Sequence, residues 1–392
     1  MRCLWITRQD PRPADSGELI YTLGLLRSLA TQPGMEITVL AHQAAKPTEG
    51  GPPVHWELHG TIPSGRLKSL PAKLPGDAFR LGNPVQRGVL TRLLGQAWDW
   101  IIIDQAACAW ALDLLDPARQ VMYLGHNHEA SVRKQVASDP GGSFPMRMAL
   151  KWDAWKYSRM EGALARRANL ISAITPRDAA AFRLDSPGVP VCVLPPGYGG
   201  EIPSGPLRPI TAETPRQVVL AGAFEWLAKR RNLEAFLHAA ASPFQAAKIG
   251  FQVVGKADPA WFAALAKQHP WASFQANVPS VAPYLDQARV GLIPEALGGG
   301  FKLKALDYIF RGLPLASVEA ALSGVPVDPH TEAIAAPDPE ALARAVASKI
   351  DDLAFLNQAA NRALEACRSA FRWEDRGITL ARALENPAAF RP

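Results

Sequence analysis

Short apolar runs in this sequence alternate with stretches whose apolar residues recur every three or four positions, and this alternation narrows the possible folds more than any other feature. That pattern belongs to parallel sheets covered by helices on both faces, because each crossover must bury one helical stripe against strands that are themselves buried. In the first half, strands are expected at Arg2 to Thr7, Glu36 to Leu40, Trp100 to Asp104, Val121 to Leu124, Leu170 to Ile174 and Val191 to Leu194. Between the first two, Gly17 to Ala30 places Leu19, Leu23, Leu26 and Ala30 on one helical face. The alternation stops between Pro195 and Pro215, where six prolines and four glycines fall within 21 residues. It then restarts with strands at Gln217 to Leu220, Phe251 to Val254, Ala272 to Gln275 and Val290 to Ile293, and helices from Asn232, Pro259, Val281 and Phe301.

The expected fold class is therefore α/β, with two doubly wound Rossmann-like domains: residues 1–198, a linker at 199–215, and residues 216–371. A chain of 392 residues exceeds the size at which one core keeps growing, which agrees with two cores. Helices at Pro339 to Ile350 and Leu353 to Ser369 close the second domain, and a last helix within 372–392 is long enough to return to the first. Two such sheets bind ligands beyond the carboxyl ends of their strands, where the strand order reverses.

Composition removes several function classes. No stretch approaches the ~20 uncharged apolar residues of a membrane span. The apolar start, Cys3 to Ile6, is too short for a signal-peptide core, so a cytoplasmic location is expected. Cys3, Cys108, Cys192 and Cys367 show no paired spacing, and they read as buried thiols rather than a zinc site or disulfide framework. No HExxH and no carboxylate cluster at ligand spacing appears, and Asp99 and Asp104 flank one strand and read as its caps; no metal site and no tightly bound cofactor is expected. A dehydrogenase would carry a glycine fingerprint after its first strand, but Thr7 to Gly17 holds a single glycine. The net charge of +6 sits mostly in residues 1–200, with 22 basic against 17 acidic side chains there. Part of it, Arg66, Lys68, Lys73, Arg80, Arg87 and Arg92 against Asp77, falls in a loop-like stretch. No nucleic-acid-reading motif accompanies the charge, so no nucleic acid partner is expected. A membrane surface suits it better: Phe144 to Arg167 mixes Met146, Met148, Trp152 and Trp155 with Arg147, Lys151, Lys156 and Arg159.

The strongest chemical signal is PEALGGGFKLKALDYIFRGLP, Pro294 to Pro314. Gly298, Gly299 and Gly300 lie between a strand and an expected helix carrying Lys302 and Lys304 in its first turn. A glycine loop there exposes amides to an anion, and lysines at a positive helix end are otherwise misplaced. Asp307, further along, is placed to accept hydrogen bonds from hydroxyls.

This segment resembles the donor-binding motif of the family-4 retaining glycosyltransferases, in the form where three glycines precede a basic residue. The resemblance implies the GT-B architecture and transfer of a sugar from a nucleotide-diphosphate donor, a UDP- or GDP-sugar. The commoner form of the motif has two glutamates seven residues apart; here Gly299 stands in the place of the first and Asp307 in that of the second, and Glu295 is the candidate to supply the missing contact. AGAFEWLAKRRN, from Ala221 to Asn232, is similar to the family's diphosphate-binding loop and implies roles for Gly222, Lys229, Arg230 and Arg231. LGHNHE, from Leu124 to Glu129, resembles its His-Asn loop, which implies His126 at the transferred sugar or the donor phosphate and His128 or Glu129 at the acceptor. Asp15 and Gly17 match its acceptor-side loop. The resemblance extends over about 300 of 392 residues and implies catalytic roles for His126, Lys302 and Asp307, with Gly299, Gly300 and Phe301 on the donor. The implied partners are the nucleotide sugar and a glycan or lipid-linked acceptor in cell-surface polysaccharide or glycoconjugate synthesis, with the inner leaflet as a peripheral location. A sugar-nucleotide-binding protein without transfer activity, or an epimerase of the same architecture, stands as the alternative.

Overall fold

The computed structural model describes residues 1–44, 50–65, 69, 71–138 and 143–391. Arg66 and Lys68 of the basic stretch lie outside the described residues. The chain divides into two units, one of Met1–Gly197 with Arg372–Pro392, the other of Tyr198–Phe371.

The first unit holds seven strands: β1 (Arg2–Gln9), β2 (Glu36–His42), β3 (His55–Leu58), β4 (Trp100–Asp104), β5 (Val121–Gly125), β6 (Leu170–Ala173) and β7 (Val191–Val193). They form one parallel sheet in the order β3-β2-β1-β4-β5-β6-β7, so the order reverses between β1 and β4. Side chains Cys3 to Ile6 of β1 are fully buried, as strands covered on both faces must be. The edge strand β3 is not apparent from the sequence: HWEL is four residues long, half-exposed and without an apolar run to announce it.

Helices α1 (Gly17–Ala30), α2 (Gly76–Leu81), α3 (Pro84–Leu94), α4 (Glu129–Ser138), α5 (Phe144–Arg167) and α6 (Pro176–Asp185) cover this sheet. Asn83 and Thr175 cap α3 and α6 by accepting from Gln86 N and Asp178 N. The last helix of the chain, α13 (Trp373–Glu385), lies against α1 because glycines let the backbones meet. A Cβ at Gly377 would stand 2.2 Å from the Ser28 carbonyl oxygen, and one at Gly24 or Gly197 would stand 2.4 Å from the Trp373 ring.

The second unit repeats the scheme with β8 (Gln217–Ala223), β9 (Gly250–Lys256), β10 (Ala272–Ala276), β11 (Val290–Ile293), β12 (Leu315–Val318) and β13 (Ala333–Ala336). The order is β10-β9-β8-β11-β12-β13, all parallel, and it reverses between β8 and β11. Strands β12 and β13, which the sequence does not announce, are four-residue segments, LASV and AIAA, too short to show a period. Helices α7 (Leu227–Ala246), α8 (Pro259–Gln268), α9 (Ala282–Asp286), α10 (Lys304–Phe310), α11 (Pro339–Lys349) and α12 (Leu353–Cys367) flank the sheet. The proline-rich segment is fastened to this unit: Asn357 pairs with both backbone groups of Ile210 at 2.8 Å, and Arg289 donates to the Ala212 and Thr214 carbonyls.

Two helix starts differ from expectation. Helix α7 begins at Leu227 rather than Asn232, which puts Lys229 and Arg230 in its first turn. Helix α10 begins at Lys304 rather than Phe301, so Lys302 stands in the loop before it. Three glycines and an aromatic side chain packed elsewhere delay the first turn.

Candidate functional site

In the first unit, the candidate residues gather where the strand order reverses, at the carboxyl ends of β1, β4 and β5. His126 follows β5, and its Nε2 lies 2.7 Å from Asp104 Oδ1 at the end of β4. Asp104 is fully buried, and its other oxygen accepts from the Trp5 indole at 3.0 Å and the Thr22 hydroxyl at 2.8 Å. A carboxylate only accepts, so His126 donates its Nε2 proton to Asp104, which fixes the ring and leaves Nδ1 outside that bond. The Tyr21 ring holds the imidazole edge-on at 4.9 Å, and the Tyr21 hydroxyl is itself fixed to the Leu194 carbonyl. Asp104 is thus more than the strand cap it resembles in sequence. The signal that could have found it is its place at a strand's carboxyl end beside the reversal of strand order.

The loop carrying His126 is held from below. Glu161 of α5 accepts from the Tyr123 hydroxyl at 2.6 Å and from the first two amides of α4, Glu129 N at 3.0 Å and Ala130 N at 2.6 Å. Burial pushes the Glu161 carboxyl up to about 8, against the pull of these hydrogen bonds.

The acceptor-side candidates sit in different surroundings. His128 is buried against Phe182, with Nδ1 on the Ser131 hydroxyl and Nε2 on Asp185, so both ring nitrogens are taken by the protein. Glu129 spends its carboxylate on Asn127 and Arg133. Asp15 and Gly17 are exposed at the start of α1. The guanidinium groups nearby are matched by acids: Arg8 with Glu18, Arg12 with Asp10, Arg80 with Asp77, and Arg133 with Glu129, Asp77 and Asp153.

In the second unit, β8 and β11 pair only through Val290↔Val218 and Gly291↔Val219, beyond which the ladder ends. The Tyr308 hydroxyl of α10 fills the gap, accepting from Ala221 N at 2.9 Å and donating to the Leu292 carbonyl at 3.4 Å. Past the gap come Gly222 on β8 and Glu295 after β11. The glycine loop is pinned by Asn232, whose side-chain amide donates to the Leu297 carbonyl and accepts from Leu297 N. Gly298 and Gly300 adopt φ of 109° and 68°, which only glycine accepts readily.

Glu295 is buried. One of its oxygens is ion-paired with Lys304, while Oε2 is buried and has no hydrogen-bond partner among the described residues. Burial opposes its charge, but Lys304, Lys302 and Lys229 hold its carboxyl below the usual range. Loss of hydration, then repulsion from Lys304 and Lys302, holds the Lys229 ammonium below its ordinary value. Three ammonium groups thus surround one carboxylate, an unbalanced positive charge that an anion would relieve. Because α10 has only seven residues, this attraction comes from side chains more than from a helix dipole, contrary to the expectation for Lys302 and Lys304.

The remaining donor-side expectations divide. Lys302 reaches back to the Gly299 carbonyl at 2.6 Å, closing the glycine loop. Arg230 donates its Nε–H to the Phe224 carbonyl and stacks on Trp261 at 4.9 Å. Arg231 is partly buried on α7. Phe301 packs on Phe371 at 5.4 Å, a core contact rather than an open face. Asp307 accepts from the Tyr198 hydroxyl at 3.2 Å; burial raises its carboxyl, while Tyr198 and Arg311 pull it down. The sequence does not mark Lys304 and Asn232 for their roles in holding Glu295 and the glycine loop. Among the described residues, no group of three or more His, Cys, Asp or Glu side chains is placed to hold a metal ion.

Comparison with known proteins bears on the family and the fold. Residues 215–352, about a third of the chain, match the family model described as Glycosyl transferases group 1. No curated protein sequence gives a significant match. Among solved structures, sucrose-phosphate synthase from Thermosynechococcus elongatus superposes with a TM-score of 0.72 at 19% identity, covering 99% of each chain. OtsA gives 0.64 at 14% identity, covering 98% of this chain and 99% of its own. HepE from Anabaena, in complex with UDP and glucose, gives 0.62 at 13% identity, covering 98% of this chain and all of its own.

Proposed function

We propose that this chain, a glycosyltransferase of the GT-B fold whose residues 215–352 form a Glycosyl transferases group 1 domain, moves a sugar from a UDP- or GDP-sugar to a glycan or lipid-linked acceptor. The observation that carries the donor assignment is Glu295, a buried carboxylate with one oxygen lacking a partner, set among Lys229, Lys302 and Lys304. The lysines suit a diphosphate. The orphaned Oε2 suits a sugar hydroxyl, which Gly299, having no side chain, is unable to bind. HepE, bound to UDP and glucose, supports UDP as the first donor base to try. Asp307 then serves the ribose, and His126, whose ring is held by Asp104, keeps the role at the transferred sugar or donor phosphate that the family resemblance implies.

In the reaction proposed, the bond from the anomeric carbon to the diphosphate breaks with its electron pair leaving on the diphosphate oxygen, and the acceptor hydroxyl forms the new glycosidic bond and passes its proton to the departing diphosphate. The ammonium groups stabilise charge that grows on the departing diphosphate, an electrostatic contribution strongest in the transition state. Retention of configuration, which the family resemblance implies, is part of the proposal, as is a place in cell-surface glycan synthesis. The matched charges around Arg8, Arg80 and Arg133 favour an acceptor presented through hydroxyls.

Thermal unfolding with a panel of nucleoside diphosphates and nucleotide sugars tests the donor site. A ligand at 100 times its Kd adds about 2.7 kcal/mol of stability. Lys302→Ala is expected to abolish the shift and to cost about 2–4 kcal/mol of transition-state stabilisation. Turnover of that variant near the wild-type rate overturns the phosphate assignment, and epimerised or hydrolysed donor without transfer favours the alternative activities.

Lys229 predicts a pH dependence. Its folded value lies below that of an ordinary lysine, so its charge is lost earlier as pH rises, and diphosphate affinity should fall on the alkaline side before other lysines titrate. A bound anion favours the charged form, so binding there is accompanied by proton uptake. Calorimetry in buffers of different ionisation enthalpy measures that uptake. Lys229→Gln should remove it; an unchanged proton count in the variant contradicts the assignment.

A further inference from the structure

The first half of α5 leaves a face with no partner among the described residues. Phe144, Met148, Trp152 and Trp155 are 73%, 51%, 48% and 48% exposed; Met146, on another side of the first turns, which are exposed all round, is 46% exposed, and Ala154, Tyr157, Met160, Glu161 and Leu164, further along the helix and away from the tryptophans, are buried. At 100° per residue, Phe144, Met148, Trp152 and Trp155 form one stripe, and Arg147, Lys151 and Arg159 fall within or beside it. Trp152 and Trp155 stack at 4.8 Å, with Arg159 over the Trp155 ring at 4.9 Å and Lys156 over Trp152 at 5.3 Å. The acids of this helix do not offset the charge: Asp153 is engaged by Arg133, and Glu161 is buried beneath α4. The exposed face is thus apolar and of one sign.

We propose that this face of α5 is a docking surface for an anionic lipid bilayer. Its apolar side chains would enter the boundary between headgroups and acyl chains, while Arg147, Lys151 and Arg159 meet lipid phosphates. Three features favour lipid over a protein occupant. Tryptophan beside arginine and lysine suits the headgroup level, where one end of each side chain is apolar and the other wet. The face lies on the outside of a helix, with single side chains projecting rather than a groove to receive a partner's segment. A second copy would bring like charges together. No helix among the described residues is long and apolar enough to cross a membrane, so the attachment is to a surface. The inference is independent of the donor site, because lipid binding is measured without substrate.

The test is co-sedimentation of the full chain with vesicles of phosphatidylcholine, with and without phosphatidylglycerol. Binding is expected only to the anionic vesicles and is expected to be released by salt. At roughly fivefold per basic side chain, Arg147→Gln, Lys151→Gln and Arg159→Gln combined should weaken it on the order of 100-fold. Trp152→Ser with Trp155→Ser should also lose binding, and unchanged circular dichroism melts show that both variants are folded. Equal binding to neutral vesicles, no binding to either kind, or undiminished binding by the variants overturns the proposal. So does an oligomer that the same substitutions dissolve, which would identify the face as a protein interface.

Discussion

Gly255→Ala is expected to destabilise the second unit by about 4 kcal/mol or more, beyond the range of most single substitutions. Gly255 has φ of 140°, where a side chain is strained whatever the space around it. Space is absent as well: a Cβ there would stand 1.8 Å from the Gly222 carbonyl oxygen. Gly222 and Gly255 are register partners in the β8–β9 ladder, so neither backbone can withdraw without opening the sheet. Gly222 also borders the Glu295 site, so donor binding should go with the fold. Urea unfolding followed by circular dichroism reads the loss. Gly88→Ala, on the exposed side of α3 with open space around it, is the control and should gain roughly 0.5–1 kcal/mol. A Gly255→Ala protein within 1 kcal/mol of wild type would show that the two strands do not approach as closely as described.

Lys304→Met is expected to combine a large loss of stability with loss of transfer. It removes the ion-pair partner of a buried carboxylate whose other oxygen already lacks one, and breaking a buried pair from one side costs about 3–5 kcal/mol. In the background of Glu295→Gln the same substitution should cost much less, because no buried charge is left uncompensated. Activity should stay low in the double variant, since both the cation and the carboxylate proposed for the donor are gone. Chemical denaturation of the two single variants and the double variant gives the coupling directly. Equal losses from Lys304→Met in both backgrounds would show that the pair carries no coupling energy, and an active double variant would remove Glu295 and Lys304 from the donor site.

Periodicity and local chemistry determined a good deal on their own. Two parallel sheets, most strand positions and α1 follow from the alternation of buried runs and amphipathic stretches, because burial on both faces dictates composition residue by residue. The glycine loop, Lys302 and His126 are also marked in the chain, since backbone exposure and a charged side chain after a strand leave a local signature. Short segments such as β3, β12 and β13 leave none, being too brief for a period to form.

What the tertiary structure decided is which side chains are available. Asp104 and His126 lie 22 positions apart, and Tyr308 sits far in sequence from β8, so only the sheet order brings them to their partners. His128 and His126 are two residues apart and similar in sequence terms, but one is consumed by Ser131 and Asp185 while the other points at Asp104 with one nitrogen to spare. Arg230 and Lys229 are adjacent, yet the guanidinium lies between the Phe224 carbonyl and the Trp261 ring while the ammonium joins the lysine cluster. A sequence specifies what a side chain can do; burial and the neighbours that folding supplies determine what remains for it to do.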